Sequence, residues 1–285
     1  MYPKVAIIVL NFNGAAVLRK CLASLFKVRY PNLEIIVVDN NSEDGSLEDA
    51  RKGFSRATYI KNEENIGFAA GNNVGIRFAL DRLADYVLLL NNDTEVAENF
   101  LESLILLAEE DKTIGILSPL IFKGKTKEVW FSGGEIDWLK MKSGHRKELI
   151  NQNYYQNDFI TGCAMLVKKE VFSKIGLLDE DYFLYYEDAD FSYRAVQSGF
   201  KLAVVAKSHV YHFEKSEDRK LNKLYWLVFS GLIFFKKNSA LWLKPWIFSY
   251  RIMRRIKNKK DLAENPSEKA QIVRKAYLDF KLHGK

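Results

Sequence analysis

The sequence is poor in cysteine, with two residues, Cys21 and Cys163, in a chain of 285. Both lie in apolar stretches without metal-ligand spacing, which argues against a disulfide framework and points to a reducing compartment. Long hydrophobic runs are missing as well. The opening MYPKVAIIVLNFNG turns polar too early for a signal h-region. LYWLVFSGLIFF (224–235) falls short of the roughly 20 apolar residues that cross a bilayer. No GxGxxG follows the first apolar run and no GxxxxGK[ST] occurs, so the dinucleotide and P-loop fingerprints are absent and any phosphate must be handled otherwise. Nor does a nucleic-acid-binding motif accompany the net charge of +7, which suits anionic lipid or an anionic acceptor and equally permits nonspecific nucleic-acid contact. At 48% hydrophobic and 28% charged residues the chain has the composition of a globular protein with a real core, in one large or two modest domains.

What is there is a regular alternation. KVAIIVL (4–10), LEIIVVD (33–39), ATYIKN (57–62) and DYVLLLNND (85–93) are short β-rich runs, separated by stretches with apolar residues at helical spacing, GAAVLRKCLASLF, SLEDARKGF and GNNVGIRFALDRL. That order predicts βαβ units. Strands that are apolar throughout fit a parallel sheet covered on both faces, whose ligands bind beyond the carboxyl ends of the strands. Those ends are polar here: Asn11, Asn13, Asp39, Asn40, Asn41, Asn65, Asn72, Asn91, Asn92 and Asp93 are predicted to gather along one edge and line one crevice. Each alone is also an ordinary turn or N-cap residue, and Asp39 could simply cap the helix from Ser46.

The second half concentrates acid. FITGCAMLVKKEVFSKIG (159–176) reads as a strand followed by a short helix, LLDEDYFLYY as a loop, and EDADFSYRAVQSG as a helix ending at Gly199. Carboxylates in a first turn favour the helix dipole, which is reason enough for some of them. Asp190 and Arg194 are four apart and can pair along the helix. Asp188 points about 100° away from Glu187 and has no basic residue four places on.

Taken in order, IIVLNFNG, VVDNNSEDGS, NEENIGFAAGNNVG, LLLNNDTEV, ITGCAMLVKKEVFSKIGLLDEDYFLYYEDADFSYRA and HVYHFEKS resemble the successive motifs of family 2 glycosyltransferases, in particular the rhamnosyltransferase-like branch, over residues 4 to 216. The resemblance implies an α/β fold of GT-A type, a Rossmann-like, mostly parallel sheet flanked by helices. It also implies inverting transfer of a sugar from a nucleotide-sugar donor, with a divalent metal, Mg²⁺ or Mn²⁺, as cofactor. Carried over by motif, Leu10, Phe12 and Asn13 line the nucleobase pocket and Asp39 contacts base or ribose. Asn41, Asn65, Gly67, Gly71, Asn72 and Asn92 complete the nucleotide-sugar site. Asp93 is the main metal anchor. Asn91 stands where the family has the first aspartate of its Asp-x-Asp motif, leaving a neutral ligand beside Asp93, which remains workable for an ion held largely by substrate phosphates and water. His212 falls where some relatives place a histidine near metal or diphosphate, with His209 as its rival. Asp188 matches the general base, and Glu187 its helper in positioning acceptor or base.

From about residue 218 the composition changes. The expected organisation is a catalytic unit over 1–217 and a helical segment over 218–285. In that segment Trp226, Trp242 and Trp246 accompany a basic cluster, Arg251, Arg254, Arg255, Lys257, Lys259 and Lys260. The pattern suits helices lying on an anionic membrane surface, and equally a packed subdomain or a homodimer face. The expected function is sugar transfer to a glycan or lipid-linked acceptor in surface polysaccharide assembly, by a cytoplasmic protein peripheral to the inner face of the cell membrane, with no nucleic-acid partner. A sugar nucleotidyltransferase would want a Gly-rich basic loop where NFNGAAVLRK stands. A non-catalytic nucleotide- or glycan-binding module would explain Asn91 but not the retention of Asp93 and Asp188.

Overall fold

A computed structural model describes residues 2–213, 220–264 and 266–283. The first half runs β1 (Val5–Asn11), α1 (Leu18–Leu25), β2 (Leu33–Asp39), α2 (Ser46–Gly53), β3 (Thr58–Lys61), α3 (Gly67–Asp81), β4 (Tyr86–Asn91), β5 (Thr94–Val96) and α4 (Phe100–Glu110). The second half adds β6 (Ile114–Lys123), β7 (Val129–Phe131), β8 (Gly133–Asp137), β9 (Lys142–Arg146), β10 (Ala164–Lys168), α5 (Lys169–Ile175), α6 (Glu187–Gln197) and β11 (Lys201–His212). Three helices follow, α7 (Lys220–Asn238), α8 (Lys244–Glu264) and α9 (Glu268–Leu282).

Nine strands form one sheet in the order β3-β2-β1-β4-β10-β6-β11-β5, with β7 on β6, and β8 and β9 make a separate hairpin. The apolar run Val5 to Val9 is wholly buried, as a strand between two neighbours and two helical layers must be. Its pairings with β2 and β4 are parallel and nearly level, Asn11 opposite Asp39 and Leu10 opposite Asn91. Level parallel strands end at one edge, and that is why the polar ends converge. Beyond β4 the sheet is mixed: β10 lies antiparallel between β4 and β6, and β11 returns parallel to β6. The register of β11 slips between Val205 and His209, after which β5 pairs with its end, His212 opposite Thr94. Strand β5 is thus what carries His212 to Asp93.

Helix α3 begins earlier than its apolar spacing suggests, at Gly67, because the Asn65 side chain accepts the Gly67 N–H at 3.1 Å and starts the first turn. Gly67, Gly71 and Asn72 therefore belong to the helix. Asp44, rather than Asp39, accepts the Ser46 N–H at the start of α2, at 3.1 Å. Cys21 and Cys163 are both buried, and burial pushes the Cys21 thiol up to about 12.

The expected boundary at 217/218 and the motif residues Glu214, Lys215 and Ser216 lie outside the described residues. Helix α7 turns much of its aromatic face toward the catalytic half: Phe229, Leu232, Ile233, Phe234 and Phe235 are buried, and Phe234 stacks on Trp138. Two residues assigned to a membrane surface face inward. Trp226 stacks on Phe183 with ring centres 4.5 Å apart, and Arg251 lies over the Phe280 ring at 4.5 Å. Both were drawn in by flat apolar partners that the local sequence does not reveal. Trp246 donates its indole N–H to Leu139 O at 3.0 Å, whereas Trp242 is 80% exposed. Among the described residues no helix is long and apolar enough to cross a membrane.

Candidate active site

The site is built around a buried amide. The Asn11 side chain at the end of β1 is fully buried; its Nδ2 lies 2.7 Å from Asp39 Oδ1, 2.9 Å from Ser46 Oγ and 3.1 Å from Ser42 Oγ. Its Oδ1 accepts from Asn92 Nδ2 at 2.8 Å. The ends of β2, β1 and β4 are thereby joined through side chains as well as through the sheet. A side chain on Gly14 would collide with Asn11 and Asn92, so the chain passes this tie only as glycine. Asp39, wholly buried, also accepts from Ser42 Oγ at 2.6 Å and Ser42 N at 2.8 Å. Its carboxylate faces the protein and fixes the loop after β2.

That loop and its neighbours form the rim. Phe12 and Asn13 are exposed, and Asn13 and Asn41 adopt left-handed φ values of 51° and 60°. Asn13 N donates to Ser42 Oγ at 2.9 Å, and its Oδ1 accepts from Glu43 N at 3.0 Å. Leu10 is half-buried with Gly71 against it. Asn40 spans from Asn62, at 2.7 Å, to Asn65 and the Gly67 carbonyl, at 3.2 and 2.9 Å, closing the far wall. Asn72 is buried, and its Nδ2 returns to Phe68 O within its own helix.

Next to this wall stand Asp93 and His212. His212 Nε2 is 3.2 Å from Asp93 Oδ1, yet that oxygen and His212 Nδ1 are buried without hydrogen-bond partners. A buried carboxylate oxygen and an imidazole nitrogen without hydrogen-bond partners are donor types that a divalent cation accepts, and the half-buried Asn91 lies two residues before Asp93. Among the described residues no group of three or more His, Cys, Asp or Glu is placed to hold a metal, so an ion here would depend on ligands from substrate and water. His209 separates from this group: its Nε2 lies 3.0 Å from Ala206 O and its ring packs edge-on to Phe122.

The acidic helix start arrives from the other side. Asp188 is half-buried and accepts Gly162 N–H at 2.9 Å and Ala189 N–H at 2.8 Å. Burial raises its pKa despite these donors. Glu187 is 5% exposed, its Oε2 has no partner, and burial, followed by the charge of Asp188, holds its pKa well above the ordinary 4.5. Asp190 pairs with Arg194 at 2.7 Å. One short stretch joins the two sides: Gly162 N–H reaches Asp188, while the next residue's carbonyl, Cys163 O, accepts the Asn91 N–H at 3.0 Å.

A model of glycosyl transferase family 2 matches residues 6–176. The chain belongs to that family. It is a glycosyltransferase, 27% identical over 230 residues to the low-salt glycan biosynthesis hexosyltransferase Agl10 of Haloferax volcanii, across 79% of this chain and 72% of that one. It is also 22% identical over 231 residues to an N-acetylglucosaminyl-diphospho-decaprenol L-rhamnosyltransferase of Mycobacterium tuberculosis, across 72% and 75%. Among solved structures, the mannosyltransferase PcManGT of Pyrobaculum calidifontis, in complex with GDP-Man and Mn²⁺, matches all of this chain and 77% of its own with a TM-score of 0.62 at 17% identity. The fold is therefore GT-A. The family match stops short of Asp188 and His212.

Some residues packed against the candidate site have no clear mark in the sequence. Trp130 on β7 packs on the His212 ring at 4.3 Å and on His145 of β9 at 4.6 Å, in segments that carry no strand periodicity. Asn73, next to the expected Asn72, ties α3 to the loop before α6 through Leu178 and Glu180.

Glu187 makes stability depend on pH. Its folded pKa is raised, so the native state keeps a proton that the unfolded chain gives up. The contribution is whole below the unfolded value near 4.5 and is lost as pH rises through the folded value. Glu187→Gln is therefore expected to raise Tm at pH 8 and to leave it nearly unchanged at pH 4, as read by thermal denaturation. Equal shifts at both pH values would show that Glu187 keeps its ordinary pKa in the fold.

Proposed function

We propose that the protein is a metal-dependent, inverting glycosyltransferase that moves a sugar from a nucleoside diphosphate donor to a hydroxyl of a glycan or lipid-linked acceptor, with residues 1–217 as its catalytic unit. The observation that supports this best is the Thr161–Cys163 stretch, which ties a raised-pKa carboxylate to the Asn91–Asp93 turn. Leu10, Phe12 and Asn13 receive the nucleobase. Asn41, Asn65, Gly67, Gly71, Asn72 and Asn92 surround ribose, diphosphate and sugar. Asp39 acts on base or ribose by fixing the loop that meets them. Agl10 and the mycobacterial enzyme carry names that specify glycan building and a lipid-diphosphate acceptor, and the acceptor class is taken from them.

In the reaction Asp188 takes the proton of the acceptor hydroxyl as that oxygen bonds to the anomeric carbon, and the carbon's bond to the diphosphate oxygen breaks on the opposite face. A carboxylate so placed is typically worth about 10² to 10⁴ in rate, and a raised pKa makes it a stronger base. Glu187, held neutral beside it, orients the acceptor or the base. Asp93, with His212 and Asn91, would hold a divalent cation, Mg²⁺ or Mn²⁺, which when bound would supply charge neutralisation at the leaving diphosphate.

The C-terminal segment offers a surface for a lipid-linked acceptor. On α8, Phe248, Ile252 and Ile256 follow one another at four-residue spacing and are 62%, 44% and 62% exposed, with Arg255, Lys257, Lys259 and Lys260 also exposed on the helix. We assign this row to the anionic inner face of the cell membrane, in a cytoplasmic protein, because apolar burial and basic attraction act together in interfacial anchoring.

A thermal-shift screen of UDP-, GDP- and dTDP-sugars with and without Mn²⁺ identifies the donor. With that donor, Asp188→Asn is expected to cut turnover at least about 10²-fold and to leave donor affinity nearly unchanged; full activity would remove Asp188 from the role. Asp93→Ala is expected to abolish the Mn²⁺-dependent stabilisation by nucleoside diphosphate, and transfer that survives chelation would refute metal dependence. Arg255, Lys259 and Lys260 changed to Glu are expected to release the protein from anionic vesicles at about 1 kcal/mol per lost contact. A wild type that ignores such vesicles and sediments as a dimer disrupted by Ile252→Ser would make the row a subunit interface.

A further inference from the structure

The turn that delivers the acidic pair is strained and is held from outside the sheet. Tyr185 and Tyr186 both have φ of +68°, a region that bulky side chains avoid. Two such residues in succession persist only where their surroundings leave no alternative.

Much of that surrounding comes from α7. Ser230 Oγ, fully buried, donates to Leu184 O at 2.7 Å. Gly231 lies against the face of Tyr186, where an added Cβ would sit 3.1 Å from the ring. Phe234 and Phe235 enclose the same ring at 5.3 and 5.9 Å, and Trp226 stacks on Phe183. Farther along, Asn238 Nδ2 donates to Asp190 Oδ1 at 2.8 Å, and Lys237 bridges Asp179 and Asp181 at 2.6 and 2.5 Å. From the opposite side Phe68 N–H donates to Phe183 O at 2.7 Å. Tyr186 in turn begins α6, its carbonyl accepting the Asp190 N–H at 2.8 Å. Any change in its backbone rotates the start of that helix, and with it Asp188.

We propose that Ser230 and Gly231 are positioning residues for glycosyl transfer: they hold Leu184 to Tyr186 in the left-handed turn that aims Asp188 at Gly162, without touching either substrate. The proposal rests on the reading of Asp188 as the base. Ser230 supplies a direction-specific contact from α7 to the turn's backbone, and Gly231 supplies the flat space that lets the Tyr186 ring lie where a left-handed backbone puts it. Relaxation of either would let the turn drift toward a commoner conformation and carry the carboxylate off its in-line position, where an error near 1 Å can cost up to about 10² in rate.

The test compares Ser230→Ala and Gly231→Ala, each alone and combined with Asp188→Asn, using nucleoside diphosphate release from the donor found in the screen. The single variants are expected to lose roughly tenfold or more in kcat at unchanged donor KM. The acid limb of the pH profile should move to lower pH as Asp188 becomes better hydrated. Added to Asp188→Asn they should cost almost nothing further, because residues acting through one group are not additive. Ser230→Thr, which keeps the hydroxyl, should recover most of the loss. Equal losses in both backgrounds, or a fall in Tm with kcat intact, would overturn the proposal and leave α7 a purely structural support. Full turnover in Asp188→Asn alone would instead overturn the base assignment, and the proposal with it.

Discussion

A single buried side-chain amide sets the geometry of the asparagine-rich edge of the sheet. Asn11 accepts from Asn92 and donates toward Asp39 and two serines, and Asn11, Asp39, Ser42 and Ser46 are all buried. In a low-dielectric interior a satisfied polar network is stiff, and a half-satisfied one is costly. The loops after β1, β2 and β4 therefore cannot move independently. The rim residues they carry, the exposed Phe12 and Asn13 and the half-buried Asn41 among them, are presented by a scaffold fixed in advance, so little binding energy at this rim would go into ordering it. Left-handed backbone at Asn13 and Asn41 is part of that arrangement, since asparagine tolerates the conformation better than most residues.

The acidic side of the site is organised differently. Its carboxylates sit at the start of a helix whose preceding turn is wedged between α3 and α7. The first turn of α3 touches the turn closely enough that Gly67, at φ +87°, has no room for a side chain beside Phe183. The two halves of the site thus share one contact at Phe183 and another at the Thr161–Cys163 stretch. Helix α7 is thereby packed against the turn that starts α6.

The parallel half of the sheet was legible because its pattern is local. Each apolar run ends in Asn or Asp, and parallel pairing at level register brings those ends together by necessity. What lay beyond reach was decided by long-range pairing. Nothing near Ala164 says that its strand runs antiparallel between β4 and β6. The separation of His212 from His209 follows from a slip in β11 and the short strand β5, three residues long. Spacing left Asp188 as the acid without a basic partner, and its donors are the backbone N–H groups of Gly162 and Ala189 with the Thr161 side chain beside them, but neither Gly162 nor Thr161 could be read from position 188. Asp39 looked like either a ligand or a helix cap. Its carboxylate turns to Ser42 and Asn11, because a fully buried acid needs several donors and that loop supplies them. The aromatic tail was ambiguous for a physical reason: a row of Phe, Ile and Trp beside Lys and Arg is what both an interfacial helix and a packed helix require. Residues 224–235 mostly went inward and the row on α8 stayed out.

The placement of the two cysteines has a practical corollary. Both thiols are sealed in the core, and the one on α1 would have to give up its proton in a setting that strongly resists charge. Alkylating and disulfide-exchange reagents act on exposed thiolates. To such reagents the native molecule presents no reactive sulfur from either position. A single cysteine engineered onto the rim of the site or onto α8 would consequently be labelled alone, and a fluorophore or spin label could be attached without first removing the native pair.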